Sequence, residues 1–166
     1  MIRPRVFATL ALAGALLVPT LVQAAVNIIY VSRHAEKAAE GKDPVLTTQG
    51  QARAAHLAHL LRNTGITQVF STDTMRTRQT AMVTAAQAGL QVQLYDAGKP
   101  ALVIEKIKAA TAPVLLIGHS NTVPELVKLL GGTATPMGDD EFDRLYQVII
   151  AADGSVTTVL LTSDAQ

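Results

Sequence analysis

The sequence predicts an α/β domain with a largely parallel sheet and helices on both of its faces. Two short segments, residues 26–31 and 114–117, are almost wholly apolar, as expected of strands that are buried on both faces. Segments with helical periodicity alternate with these and other strand candidates. This alternation is typical of α/β proteins with parallel sheets.

The first residues have the layout of a secretory signal peptide. Arg3 and Arg5 precede an apolar run of 13 residues, 6–18, which Pro19 closes, and small residues follow at Val22-Gln23-Ala24. A membrane span needs ~20 residues, so cleavage after Ala24 is favoured over a membrane anchor. We therefore expect a signal peptide over residues 1–24, a single domain over 25–166, and a periplasmic or secreted protein. Without cleavage, the domain would stay tethered at the membrane.

Composition excludes several classes of function for the mature chain. Removal of residues 1–24 leaves 166 − 24 = 142 residues, with 14 − 2 = 12 basic and 13 acidic side chains, a formal charge of about −1. This balance gives no basic surface for nucleic acid and no attraction to anionic membranes. The absence of Cys excludes disulfides, thiolate nucleophiles and Cys-ligated zinc. The oligomeric state cannot be read from the sequence.

The first half of the mature chain predicts two helices, each followed by a strand. Apolar residues at i, i+3, i+4 and i+7 predict a helix that Thr47 or Thr48 caps and that ends at Gly65. Residues 68–70 form a short strand. A second helix follows over residues 74–88, capped by Thr72 or Asp73 and stopped by Gly89, and residues 90–95 alternate like a half-buried strand. The periodic positions of the first helix are Ala54, Leu57, Ala58 and Leu61.

The second half predicts two more helices and a hairpin. One helix ends near residues 111–113, and the other follows strand 114–117 and ends at Gly131-Gly132. Asp153-Gly154 lies between residues 145–151 and 156–161, which is a strong signal for a β-hairpin turn. The apolar faces of the two helices are carried by Val103, Ile107 and Ala110, and by Val123, Leu126, Val127 and Leu130.

Charged and imidazole side chains follow three of the predicted strands. Arg33 and His34 come after the first strand, Arg76 follows the second, and His119 follows the apolar strand 114–117. The carboxyl ends of parallel strands meet at one edge of a sheet, where ligands bind. Converged cations at this edge fit an oxyanion, most plausibly phosphate. Neutral imidazole is a competent nucleophile toward phosphorus, and guanidinium groups can hold the non-bridging oxygens. This chemistry requires no metal and no cofactor.

Four segments resemble the motifs of the histidine phosphatase (phosphoglycerate mutase-like) superfamily, in the family's order. Arg33-His34-Ala35-Glu36 resembles its first signature, and Gly118-His119-Ser120-Asn121 resembles its second histidine motif. Between them, residues 46–54 resemble the first-helix pattern and residues 71–81 the second arginine motif. The resemblance implies a three-layer α/β/α sandwich. It also implies that His34 is phosphorylated, that Arg33 and Arg76 bind phosphate, and that His119 completes the pocket.

The general acid is the point where the sequence departs from the family. Many members carry Glu in a Leu-x-Glu segment, and here Leu94-Tyr95-Asp96 stands in that place. We expect Asp96 to protonate the leaving alcohol, with Glu36 and Glu125 as alternatives. The chain leading from Asp96 to the next helix is short, which favours an open site like that of the small phosphohistidine phosphatases. Asn121 and Thr122 are expected to offer a helix cap and backbone N–H groups to the anion.

Other polar groups have simpler interpretations. His56 and His59, three apart on a helix, could share a metal, but without accompanying carboxylates they are expected to form a polar helix face. Arg78 is expected to make a surface ion pair, and the acidic trio of residues 139–141 to be a solvated turn.

Three functions are consistent with these residues. The first is a secreted, metal-independent phosphomonoesterase that acts on a small phosphorylated substrate through a phosphohistidine on His34. The second is a phosphate-binding module of the same fold with weak or no catalysis, which the change to Asp96 motivates. The third is a mutase, against which the short substrate insertion and the export signal argue.

Overall fold

The computed structural model describes residues 26–163, which form a six-stranded sheet with four helices. The predicted signal peptide and its cleavage site lie outside the described residues. The sheet order is β3-β2-β4-β1-β5-β6. The strands are β1 Asn27–Arg33, β2 Gln68–Ser71, β3 Val92–Leu94, β4 Val114–Gly118, β5 Arg144–Ile150 and β6 Val156–Thr162.

Helices cover both faces of the sheet, as predicted. The helices are α1 Thr48–Leu61, α2 Met75–Ala88, α3 Pro100–Lys108 and α4 Thr122–Leu129. Leu57 of α1 and Ala81 of α2 pack in one buried cluster. Ile107 of α3 and Leu126 of α4 pack in a second cluster on the opposite face. The arrangement is a three-layer α/β/α sandwich, which confirms the predicted fold class.

The central strands alternate between the two layers of helices. In β1, Ile29 and Val31 pack toward α3 and α4, whereas Tyr30 packs toward α1 and α2. Strands β1, β4, β2 and β3 are mutually parallel, and β5 and β6 are antiparallel to their neighbours. Since β1 and β4 are adjacent, with Arg33 opposite Gly118, the residues that follow these two strands emerge side by side.

The first helix is fastened directly to the segment that follows β1. Thr47 is its N-cap, and its side chain accepts from the N–H of Gly50 at 3.0 Å. The N–H of Thr47 also donates to the carbonyl of Glu36 at 2.9 Å. A Cβ at Gly50 would lie 2.1 Å from this same carbonyl oxygen, so glycine is required for the close approach.

The second helix is capped differently from the prediction. The N-cap is Thr74, without a side-chain cap bond, and not Thr72 or Asp73. The carboxylate of Asp43, from the loop before α1, accepts instead from the N–H of Met75 at 3.0 Å. The helix ends where predicted, at Gly89, whose φ of +68° is in the left-handed region.

The last two strands form the predicted hairpin. Ile150 pairs with Val156 across the turn, and Gly154 has a φ of +83°. Strand β5 lies beside β1, so the segment between α4 and β5 passes the carboxyl end of β1. Among residues 26–163, none of the helices combines the length and apolar character needed to cross a bilayer.

Candidate active site

Residues from three strand ends meet in one cavity. This cavity of about 400 Å³ lies at the carboxyl edge of the parallel strands. It contains the two histidines and two arginines that the sequence singled out, together with Asn121. Its lining residues are Arg33, His34, Lys37, Arg76, His119, Ser120, Asn121 and Asp139.

His34 is a buried, neutral imidazole with one nitrogen committed to the backbone. Its side chain is 3% exposed, and its Nδ1 lies 2.8 Å from the carbonyl oxygen of Ala35. A carbonyl only accepts, so Nδ1 carries the proton and Nε2 keeps its lone pair. Burial, followed by the charges of Arg33, His119 and Arg76, lowers the pKa of His34 to about 4, and the hydrogen bond to the Ala35 carbonyl only partly opposes this. At neutral pH the ring is therefore uncharged, and the lone pair of Nε2 is available.

The loop that carries His34 is fixed by two neighbouring elements. The N–H of His34 donates to the carbonyl of Gly118, at the end of β4, at 2.9 Å. The N–H of Ala35 donates to the hydroxyl of Thr80 on α2 at 3.0 Å. These contacts set the orientation of the imidazole relative to α2 and to the second histidine motif.

His119 faces His34 across the cavity. The two ring centroids are 5.4 Å apart, with an interplanar angle of 70°. Nδ1 of His119 lies 3.5 Å from Nη2 of Arg76. Because a guanidinium group only donates, Nδ1 is the acceptor and the proton of His119 is on Nε2. Nε2 therefore donates to the hydroxyl of Thr72 at 2.9 Å. Burial, then Arg76 and Arg33, lower the pKa of His119 to about 4.

The two arginines combine structural bonds with free donors. Nη1 of Arg33 donates to the carbonyls of Gly138, Asp139 and Glu141, each at 3.0 Å. Nη1 of Arg76 lies 3.5 Å from the carboxylate of Asp43. Within the described residues, Nε of Arg33 and Nε of Arg76 are both buried without a hydrogen-bond partner. Buried donors of this kind need an acceptor, and an oxyanion in the cavity would provide one.

Glu36 is part of the scaffold that carries the site. Nε and Nη2 of Arg53 donate to its carboxylate at 2.7–3.0 Å, and Nη1 of Arg53 reaches the carbonyl of Ser163. Burial is the largest single effect and would raise the pKa of Glu36, but the hydrogen bonds from Arg53 and from the backbone, together with the charges of Arg53 and Arg33, lower that pKa. The carboxylate is thus ionised and fully engaged. Its neighbour Lys37, rather than Glu36, lines the cavity.

The other two predicted acids line neighbouring cavities. Asp96 is exposed, and its Oδ1 accepts from the N–H of Gly98 at 2.8 Å. It lines a cavity that includes His119 but not His34. Glu125 lines a groove that shares Ser120 and Asn121 with the site. The structure therefore brings neither carboxyl into the cavity with His34.

Asn121, the remaining predicted site residue, lies at the start of α4. It is the N-cap by position, but its side chain makes no cap bond. Asn121 therefore stands at the predicted cap position, without a side-chain hydrogen bond to the helix. The side chain is exposed and lines the cavity that contains both histidines.

The surface interpretation of Arg78 agrees with the structure. Arg78 pairs with Asp73 at 3.1 Å, with side-chain exposures of 48% and 70%. Among the described residues, no group of three His, Cys, Asp or Glu side chains could hold a metal ion, and His56 and His59 belong to none.

Sequence reasoning missed three residues of the site. Thr72 was interpreted as a helix cap, but it orients His119. Phe142 lies 5.9 Å from the ring of His34 and 4.0 Å beneath the guanidinium of Arg33. Asp139 is exposed in a turn, as predicted, but it also lines the cavity. No motif marks these positions. The acidic run of residues 139–141, on the loop between α4 and β5, was a visible signal for Asp139.

A family model supports the resemblance drawn from the sequence. Residues 29–97 match the model of the histidine phosphatase superfamily (branch 1). The matched segment includes Arg33, His34, Arg76 and Asp96, whereas His119 lies beyond it. No curated protein sequence matches the chain.

Solved structures share the fold over most of the chain. The protein histidine phosphatase SixA, complexed with tungstate, is 21% identical with a TM-score of 0.66, covering 82% of this chain and 97% of that one. Phosphoglycerate mutase from Bacillus anthracis is 16% identical with a TM-score of 0.64, covering 85% and 94%. The mycobacterial glucosyl-3-phosphoglycerate phosphatase is 14% identical with a TM-score of 0.61, covering 85% and 100%. At these identities the likeness is one of fold.

The family match and the phosphatases among these structures together support a phosphatase. Residues 29–97 thus resemble the histidine phosphatase superfamily in sequence, and the chain shares its fold with the phosphatase and mutase structures.

Proposed function

We propose that the protein hydrolyses phosphate monoesters through a phosphohistidine on His34. One observation carries this proposal. A single cavity joins a neutral imidazole with a free Nε2 to two guanidinium groups whose buried Nε–H donors have no partner. A nucleophile and preorganised donors for the non-bridging oxygens are the main requirements of phosphoryl transfer.

The proposed reaction has two steps. The phosphoryl group binds between Arg33, Arg76 and His119, and the lone pair of His34 Nε2 forms a bond to phosphorus as the ester P–O bond breaks. The electron pair of that bond goes to the leaving oxygen, which takes a proton from an acid. Water then attacks phosphorus and gives a proton to the conjugate base of that acid, the P–N bond electrons return to His34, and inorganic phosphate leaves. The Nδ1–H bond to Ala35 keeps the ring in place throughout.

Oxyanion chemistry at this site has support from the comparison as well. The SixA structure holds tungstate, a tetrahedral oxyanion like phosphate. In the present chain, Arg33 and Arg76 supply positive charge where a metal would otherwise be needed. We therefore propose a metal-independent reaction on a small phosphorylated substrate.

We also propose that the enzyme works in the periplasm or the medium. Support comes from residues 1–24 alone, which have the pattern of a signal peptide. Expression of the full chain, followed by fractionation and mass spectrometry of the N-terminus, tests this. The expected result is a periplasmic or secreted product that begins at Ala25, and retention at the membrane would contradict it.

Catalysis is tested with the mature chain after EDTA treatment. Release of p-nitrophenol from p-nitrophenyl phosphate is measured beside His34→Ala. Arg78→Ala is the matched control, because Arg78 makes an exposed ion pair outside the cavity. We expect turnover that survives EDTA, is lost in His34→Ala and persists in Arg78→Ala. Acid-labile ³²P on the wild-type chain, absent from His34→Ala, would identify the intermediate.

Two other outcomes would redirect the proposal. Vanadate binding without turnover of any phosphate ester would indicate a phosphate-binding module. Transfer of phosphate between positions of one substrate, without net release, would indicate a mutase.

A further inference from the structure

The loop between α4 and β5 brings a carboxyl to the cavity of His34. Asp139 lies on this loop and, among the described residues that line the cavity, it is the single carboxylic acid. The hydroxyl of Ser120 donates to Oδ1 of Asp139 at 3.3 Å. Ser120 directly follows His119, so the carboxyl is linked to the second histidine motif.

Arg33 fixes the position of this loop. Its Nη1 donates to the carbonyl of Asp139 and to those of Gly138 and Glu141 in the same loop. Its guanidinium also lies 4.0 Å from the ring centroid of Phe142. The residue that precedes the nucleophile therefore holds Asp139 at the edge of the cavity.

Nearby carboxyls have other arrangements. The carboxylate of Glu36 is bound by Arg53. Asp43 accepts from the N–H of Met75 and pairs with Arg76. Asp96 accepts from the N–H of Gly98 and lines a cavity that includes His119 but not His34. Asp139, by contrast, opens on the same cavity as His34, and its carboxylate accepts from the hydroxyl of Ser120.

We propose that Asp139 is the acid–base residue of this site, an inference that rests on the proposed phosphohydrolase function. In the first step, as the P–O bond breaks, the carboxyl proton of Asp139 passes to the leaving oxygen and the alcohol departs. In the second step, the carboxylate takes a proton from the attacking water while the P–N bond breaks. The carboxyl is regenerated and inorganic phosphate leaves.

The role predicts a dependence on the leaving group. p-Nitrophenolate leaves without protonation, whereas an alkyl alcohol needs a proton as the P–O bond breaks. Asp139→Asn keeps an oxygen that can accept from Ser120 but removes the proton. We expect kcat/KM to fall by about 10²–10⁴ for an alkyl phosphate such as glycerol 2-phosphate. For p-nitrophenyl phosphate, we expect a fall of less than about tenfold.

Two matched variants complete the experiment. Asp140→Asn removes the neighbouring charge on the same loop. It should lower kcat/KM slightly and by the same factor for both substrates. Asp96→Asn tests the acid that the sequence predicted. An equal loss for both substrates in Asp139→Asn would overturn the proposal, since a structural role would produce it. A leaving-group dependence confined to Asp96→Asn would also overturn it, in favour of Asp96.

The proposed function fails separately. A wild-type chain that turns over neither substrate, or a His34→Ala variant that keeps full turnover, would refute the phosphohistidine reaction and this assignment with it. If the wild type is active and His34→Ala is inactive, the proposed function stands. The role of Asp139 is then decided by the comparison of the two substrates.

Discussion

Acidification from pH 7.5 to 5.0 should destabilise the fold by about 2 kcal/mol through His34 alone. The imidazole is 3% exposed, and burial, with the charges of neighbouring Arg33 and Arg76, lowers its pKa to about 4. In the unfolded chain the same side chain would titrate near ~6.5. The folded state therefore resists a proton that the unfolded state accepts.

The sign and size of the effect follow from this difference. The unfolded state binds more protons than the folded state between the two pKa values, so stability is lost as the pH falls from about 6.5 to about 4. Each pKa unit is worth about 1.4 kcal/mol, and at pH 5.0 the pH has passed about 1.5 units below the unfolded value. The result is about 2 kcal/mol. His119 acts in the same direction, but its partial exposure reduces its share.

Urea unfolding of the mature chain measures this effect. Stability is compared at pH 7.5 and 5.0 for the wild type and for His34→Asn, which keeps a planar polar side chain but does not titrate. The wild type should lose about 2 kcal/mol more than the variant over this interval. Equal losses in the two proteins would refute the reasoning. A histidine NMR signal that titrates near ~6.5 in the folded wild type, and disappears in the variant, would refute it independently.

Three further substitutions test the scaffold and the anion site. Gly50→Ala places a Cβ 2.1 Å from the carbonyl oxygen of Glu36, so α1 must shift, and urea unfolding should show a loss of about 1–3 kcal/mol; wild-type stability would contradict the contact. Arg53→Gln removes the ion-pair partner of the Glu36 carboxylate, and the free energy of unfolding in urea should fall by about 1.5–3 kcal/mol. An unchanged unfolding midpoint would contradict this. Arg76→Lys keeps the charge but loses the buried Nε donor, and should raise KM for p-nitrophenyl phosphate about tenfold or more, whereas Arg78→Lys should leave it unchanged. Equal KM values in the two lysine variants would show that Arg76 does not bind the phosphoryl group.

Periodicity and turn residues predicted the order of elements because each element is locally consistent. The apolar strand at residues 114–117 and the periodic helix after it appear where expected, and so does the hairpin at Asp153-Gly154. The meeting of His34 and His119 also followed from local information. Both residues follow parallel strands, and all such strands end at the same edge of a sheet.

What the sequence could not predict depends on backbone groups of distant segments. Arg33 anchors the loop of Asp139 through three carbonyls, and carbonyls carry no sequence signal. The start of α2 is satisfied by Asp43, which is 32 residues from Met75, so the local rule for caps chose the wrong residue. Glu36 was an alternative for the general acid, but α1 brings Arg53 to its carboxylate.

A bound anion would act both on the unpaired donors of the site and on the low pKa values of its histidines. Arg33 and Arg76 hold buried Nε–H groups without acceptors, and both histidines avoid a proton because their surroundings are buried and positive. A buried donor without an acceptor lowers the stability of the free protein. A histidine that stays neutral in the folded state also lowers stability at acidic pH. A tetrahedral dianion would accept from both guanidinium groups and, by its charge, raise the pKa of both imidazoles. Binding would thereby favour the protonated form of His119, which then donates to the same oxygens, while the positive charge that develops on His34 during attack is compensated. The unpaired donors and the uncharged histidines of the free site are thus complementary to the negative charge of the phosphoryl group that the site is proposed to transfer.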